Sequence, residues 1–173
     1  MDIAIIQTNS RADRQKVRET IARSGLTIIP TIDRSLLPPK IVAYGEEDQL
    51  LRLFEKLAEY PTKDVSNIAH IRGINTKTIG ALTSQRVSPR CEYTGIFETI
   101  GIQATIAALN AAVEVHGVEA SEVQLAGGNG MKSLFVLCGR KTAVENALTI
   151  AKSISLATHI HMKDISTIEG KGS

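Results

Sequence analysis

The sequence predicts an α/β (α+β) fold built from two tandem β-α-β-β-α-β units. Three observations predict it. Short runs rich in Ile, Val and Thr alternate with longer segments whose apolar residues recur at helical spacing, in the same order in both halves. An offset of 91 residues superposes Ile6-Gln7-Thr8 on Phe97-Glu98-Thr99 and aligns the first helices without a gap. The chain is 173 residues long, which suits two copies of about 75 residues and a connector better than one plain domain.

In the first half, residues 2–8 read as a short buried strand. Residues 11–24 place Ala12, Val17, Ile21 and Ala22 among many charges, an amphipathic helix with Asn9-Ser10 as its N-cap and Gly25 as its stop. Leu26 to Ile29 is short and β-branched, a strand. Residues 33–39 contain Pro38-Pro39 and form a loop. Ile41 to Tyr44 is a strand ended by Gly45. Residues 46–60 carry Leu50, Leu51, Leu53, Phe54 and Leu57 at helical spacing behind an acidic first turn that suits the helix dipole. Ser66 to Ile71 closes the unit as a strand.

Residues 73–92 are rich in Thr, Ser, Gly, Arg and Lys and lack sustained periodicity, so they read as a linker. The domain limits are 1–76, a linker at 77–90, and 91–173.

The second half repeats the order. Gly95 to Thr99 is a strand, and residues 102–116 form a small, apolar helix that needs burial on more than one side. Glu122 to Ala126 and Ser133 to Cys138 are strands around the turn Gly127-Gly128-Asn129-Gly130. Residues 141–155 form a helix with Ala143, Val144, Ala147, Leu148, Ile150 and Ala151 inward. His159 to Ile165 is the last strand, with His161 opposite His70 in the repeat. Ile41 to Gly45 matches Phe135 to Gly139. Copies this small bury limited surface alone, so they are expected to pack on each other and on further chains.

Composition narrows the function classes. Three Phe, three Tyr and no Trp leave no aromatic platform for stacked bases. Net charge is +2, too small to imply a polyanion partner. It divides unevenly: residues 1–90 hold 14 Lys and Arg against 10 Asp and Glu, and residues 91–173 hold 6 against 8. Two cysteines, Cys91 and Cys138, are too few for a disulfide scaffold, and reduced cytosolic thiols are the expectation. Cys138 lies in an apolar strand and reads as a small core residue. Met1-Asp2 begins without a basic region, so no signal peptide is expected, and no apolar run approaches the roughly 20 residues of a membrane span.

Gly95-Ile96-Phe97-Glu98-Thr99-Ile100-Gly101, followed by the Ala-rich helix from Ala104 to Val113, resembles the opening of a bacterial microcompartment shell domain. The later parts follow in that family's order: a strand, a Gly-rich loop, a strand ending in Gly139, and a second Ala-rich helix. The second copy matches over nearly its whole length, and the first through Ile6-Gln7-Thr8, the helix register and the strand before Gly45. The whole chain is therefore similar to a tandem-domain shell protein, two microcompartment-shell-like domains of ferredoxin-like character.

The resemblance implies a structural shell protein, not an enzyme, that forms a trimeric pseudohexameric tile around a central pore for small polar metabolites. It implies self-association as a homotrimer and contact with other shell proteins at tile edges. It implies a place in a microcompartment shell in the bacterial cytoplasm, with no cofactor, metal, nucleic acid or membrane. Gly127, Gly128, Asn129 and Gly130 would line the pore, where glycine lets backbone groups approach the axis. The same four residues also suit a plain hairpin turn. The matching loop of the first copy is longer and bulkier: Arg34, Ser35, Leu36 and Leu37 would alternate with the glycines, narrowing the hole or attracting anions. Where the family often has a late-helix Lys at the tile edge, this chain has Arg23 and Glu114. The alternative function is a trimeric ligand-binding regulator or sensor on a ferredoxin-like scaffold.

Other constellations are weaker. His159-x-His161 would set two imidazoles on one strand face, but no third zinc ligand is near in sequence. Gly127 to Gly130 lies between strands, not before a helix, so a phosphate-binding glycine loop is excluded. No Ser/His/Asp or Cys/His set has supporting context.

Overall fold

The computed structural model describes residues 1–32, 40–61, 64–84, 91–126 and 131–169, with side chains as far as residue 157. The elements run β1 (Asp2–Thr8), α1 (Arg11–Arg23), β2 (Thr27–Ile29), β3 (Lys40–Gly45), α2 (Glu47–Ala58), β4 (Val65–Ile71), α3 (Thr76–Thr83), β5 (Tyr93–Ile100), α4 (Ile102–Ala112), β6 (Val118–Gln124), β7 (Lys132–Gly139) and α5 (Lys141–Glu169). This is a tandem α+β architecture with two sheets.

The first sheet has the order β2-β3-β1-β4, and every neighbouring pair is antiparallel. Its connections interlock: β1-α1-β2 spans β3, and β3-α2-β4 spans β1, which is the ferredoxin-like arrangement. Ser10 starts α1, its Oγ accepting from the Asp13 amide at 3.1 Å. Gly25 ends the helix at φ 73°, a left-handed conformation that favours glycine. The buried stripe of α1 is Val17, Thr20 and Ile21; Ala12 and Ala22, expected inside, are exposed. Thr20 takes the inward place because its hydroxyl has partners, the Lys16 carbonyl at 3.1 Å and the Tyr60 hydroxyl at 2.6 Å.

Strand alternation sends residues of this sheet to two different cores. Ala4, Ile6, Ile41 and Ala43 pack with Val17, Ile21, Leu50, Leu53 and Leu57 of α1 and α2. Ile3, Ile5, Ile29 and Val42 face the other way and join one cluster with α3, α4, α5 and the second sheet. The two halves therefore share a core, as copies of this size require. With both faces covered, β1 is buried almost throughout.

The second sheet has the order β5-β7-β6, and α4 has no exposed residue. Phe97 and Phe135 stack within it, ring centroids 5.1 Å apart. Its expected fourth strand at 159–165 is absent from the described residues, because α5 runs on through them to Glu169. No Gly or Pro interrupts 141–169, so nothing in the local chemistry stops a helix already nucleated and packed. The pairing of His161 with His70 is lost with that strand. On a helix, positions 159 and 161 do not share a face, so the strand-face zinc pair is lost too.

The stretch read as a linker contains α3. Its apolar spacing, Ile79 and Leu82, is too short to stand out by periodicity, and the helix is held by docking. Asn75 caps it, Oδ1 accepting from the Thr78 amide at 2.8 Å. Asn110 of α4 then fastens the cap: its Oδ1 accepts from the Asn75 amide at 3.0 Å and the Thr78 hydroxyl at 2.9 Å. Asp2 anchors the preceding turn, meeting His70 Nε2 at 2.9 Å and accepting from the Gly73 amide at 3.1 Å.

Cys91 and Cys138 form a disulfide, which corrects the expectation of reduced thiols. The β5–β7 ladder pairs Thr94 with Cys138, so the chain entering β5 passes beside the end of β7. The resulting Cα separation of 5.5 Å is ordinary for a bridge. Cys138 is buried, as its apolar strand implies.

Candidate functional site

The two loops expected at a pore, Arg34 to Leu37 within 33–39 and Gly127 to Gly130, lie outside the described residues. Their roots do not. Ile32, the last residue before the first loop, forms a parallel bridge with Ala126, the last residue before the second. The Ile32 amide donates to the Leu125 carbonyl at 2.7 Å. Leu125 and Ala126 are buried, while Ile32 is partly open. The Ala126 amide is held in turn by the fully buried Ser133, whose Oγ accepts from it at 2.9 Å. The described segments that precede the two loops thus meet at one junction between the halves and run parallel there. Neither Ile32 nor Ser133 was singled out by sequence reasoning, since a bridge between distant segments leaves no periodic signal.

Four residues of the stretch Gly95 to Gly101 have roles in packing and pairing. A Cβ on Gly95 would stand 2.6 Å from Val144 Cγ1 and 2.8 Å from Leu148 Cδ1, so glycine lets α5 lie close on β5. Glu98 is exposed and meets Lys132 Nζ at 3.4 Å across the β5–β7 pair. Thr99 is buried and its hydroxyl bonds Ser155 of α5 at 2.9 Å. Gly101 has φ 94° and leads into α4, where its carbonyl accepts from the Thr105 hydroxyl at 2.9 Å. These roles are packing and helix initiation; no reacting group is assembled by them.

The matched strand ends have parallel explanations. A Cβ on Gly139 would fall 2.4 Å from the Gly117 carbonyl oxygen, and one on Gly45 would fall 2.3 Å from Leu26 Cδ2. Arg23 lies exposed in the last turn of α1, where its charge suits the dipole. Glu114 lies exposed just beyond α4. The two match in the repeat at the offset of 91 residues, Arg23 inside its helix and Glu114 two residues past the end of its own.

Among the described residues no three His, Cys, Asp or Glu side chains group to hold a metal ion, and no helix is long and apolar enough to cross a membrane. Of the titratable groups, Lys40 at the start of β3 is displaced, its pKa lowered by burial.

No protein-family model matches the sequence, and no curated protein matches it. Among solved structures the fold matches that of a microcompartment protein from Desulfitobacterium hafniense DCB, with a TM-score of 0.78. The match covers 91% of this chain and 88% of that one at 16% sequence identity. The two proteins share a fold. The second unit departs from the expected repeat in its last strand, while the first unit keeps all four strands in interlocked order.

Proposed function

We propose that the chain is a structural shell protein of a bacterial microcompartment, assembling as a homotrimer whose six related units form a pseudohexameric tile. The observation that carries this reading is the bridge between Ile32 and Ala126, which starts both candidate pore loops from one point. Three copies of that junction around an axis would alternate the loop bearing Arg34, Ser35, Leu36 and Leu37 with the loop Gly127 to Gly130. Leu36 and Leu37 would narrow the opening, Arg34 would favour anions, and the glycines would offer backbone groups to small polar metabolites.

Arg23 and Glu114 would stand at the tile edge and meet other shell proteins there. Opposite charges on Arg23 and Glu114 would allow a tile to contact its neighbour by an Arg–carboxylate pair. The role is assembly and selective passage, in the bacterial cytoplasm, with no catalytic step.

Light scattering on the purified protein, followed by electron microscopy, tests the proposal. A mass of three protomers and flat particles with three-fold symmetry are expected. A stable monomer at micromolar concentration overturns it. A trimer that takes up a ligand saturably but never forms sheets or tubes points to the regulator instead.

A further inference from the structure

The two units of the chain meet through unlike surfaces. The first sheet turns Ile3, Ile5 and Val42 away from α1 and α2, and these residues are buried in one cluster with α4. The matching face of the second sheet is open. At the offset of 91 residues Ile96 stands for Ile5, and Val136 stands for Val42 where Phe135 is matched with Ile41. The strand register agrees: Ile5 lies opposite Val42, and Ile96 lies opposite Val136. Ile5 is 6% exposed and Val42 0%, whereas Ile96 is 64% exposed. Ile100, on the same face of β5, is 49% exposed.

The first helices of the units differ in the complementary way. Ala108 and Ala112 of α4 correspond to Val17 and Ile21, the inward stripe of α1. A second stripe, Ile102, Ile106, Leu109 and Val113, is also buried, in the same cluster as Ile3, Ile5 and Val42. Its counterparts at the offset of 91 are Arg11, Gln15, Arg18 and Ala22, and all four are exposed. Their spacing keeps them on one face of α1. A contact of this kind is heterologous: it joins a sheet face of one unit to a helix stripe of the other, and it leaves one spare surface of each kind.

We propose that copies of the chain join through these spare surfaces, the open face of the second sheet in one copy receiving the Arg11, Gln15, Arg18 and Ala22 stripe of the next. Charge supports this occupant. Glu98, Glu119 and Glu122 lie opposite Leu134, Cys138 and Val136, so they share the open face with Ile96. Lys132 is the only Lys or Arg in β5, β6 and β7, and it meets Glu98 at 3.4 Å. The α1 stripe brings Arg11 and Arg18, whose stems can cover Ile96 and Ile100 while their guanidinium groups reach carboxylates. Within the chain, where the two surfaces are never parted, the same joint is apolar on both sides. The joint rests on the tile reading only for self-association. It fixes neither the number of copies nor their flatness, since head-to-tail contacts close into rings or run on as filaments.

The test reads the joint itself. A photo-crosslinking amino acid at position 96 of the full chain is irradiated, and the linked peptides are identified by mass spectrometry. Links between chains, to peptides of Arg11–Arg23, are expected. Links within one chain, links to another segment, or none overturn the inference. Sedimentation over a concentration series gives a second readout. Ile96→Glu and Arg18→Glu are each expected to raise the concentration of half-assembly about tenfold or more. Leu51→Glu, at an exposed position of α2, is expected to leave it unchanged. Ile96 and Arg18 are exposed in the single chain, so both variants keep its fold, which circular dichroism checks. An equal loss with Leu51→Glu, or no loss with Ile96→Glu and Arg18→Glu, overturns the inference. An assembly of other than three copies with position 96 linked to α1 supports the joint and overturns the tile. A trimer without that link overturns the joint and leaves the tile standing, and a stable monomer overturns both.

Discussion

Ile32 stands in parallel register beside Ala126, and its amide donates to the Leu125 carbonyl at 2.7 Å. This contact joins residues nearly a hundred positions apart and is distinct from the ladders that build each sheet. It fixes where two loops begin, not what they do. A loop whose root is held by a buried neighbour and a ladder-type hydrogen bond is aimed by the scaffold, which is how function is commonly grafted on a fold.

Replacing Ile32 by Pro removes the donor and leaves the buried Leu125 carbonyl short of a partner. A loss of about 1–3 kcal/mol in unfolding free energy is expected. Ile32→Ala keeps the amide and removes only a partly open side chain, so it should fall within about 0.5–1 kcal/mol of the parent. Urea titration of the three proteins checks this. Equal stabilities for the Pro and Ala variants would show that the bridge contributes nothing.

Gly139→Ala is expected to destabilise more than its one methyl group suggests. The new Cβ would lie 2.4 Å from a backbone oxygen, Gly117 O, and backbone cannot rotate away. Overpacking of this kind costs about 1–3 kcal/mol, or roughly 2–12 °C in melting temperature for a chain of this size. At Gly45 the contacts are flexible side-chain ends, Leu26 Cδ2 and Gln49 Oε1, so Gly45→Ala should cost less. Thermal melts of the pair decide it, and a larger loss for Gly45→Ala would contradict the reasoning.

These glycines also mark what a sequence does and does not disclose. Their places at the ends of matched strands are visible in the repeat, and so are every element of the first unit, the caps of α1, and the all-round burial of α4. Local patterns encode them. The helix α3 escaped because two apolar residues do not make a period; it exists through Asn110, a residue 35 positions from the cap it fastens. The final strand of the second unit was misjudged for the opposite reason. Alternation at His159-Ile160-His161 suggests a strand, but an unbroken helix upstream propagates through it. Pairings such as Ile32 with Ala126 are set by how two units dock, and no short-range rule contains that information.

The docking of α3 can be measured through Asn110. Asn110→Ala leaves the Asn75 amide and the Thr78 hydroxyl without this acceptor, both partly buried. About 1–3 kcal/mol of stability should be lost. Amide exchange should accelerate first in Thr76–Thr83, because Asn110 holds the cap of that helix directly and reaches the first sheet only through the turn at Gly73. Uniform acceleration across both sheets would show that α3 is not a separate unit of opening.

The disulfide ties residues 47 apart in sequence. In the chain-entropy account a closed loop of that length restricts the unfolded state by about 4 kcal/mol at most. Reduction should therefore lower the melting temperature, and Cys91→Ser should match the reduced parent closely, since residue 91 is not fully buried. Cys138→Ser should be less stable than either, because it sets a hydroxyl at a buried position in an apolar strand. Melting curves with and without a thiol reductant check the order; a parent indifferent to reductant would remove the bridge from the stability of the fold.

Lys40 gives a pH dependence with a defined sign. Burial lowers its pKa in the folded chain from 10.5, so the unfolded chain holds this proton more tightly. Below the folded pKa both states are protonated and the full cost of burying the charge is present. As pH rises from the lowered value toward 10.5, the unfolded state binds more protons than the folded one, and stability increases. Lys40→Met removes that rise and should be more stable than the parent near neutral pH. Urea midpoints between pH 8 and about 10.5, in the parent and in Lys40→Met, measure the effect. A slope in Lys40→Met equal to the parent's would assign the titration to another group.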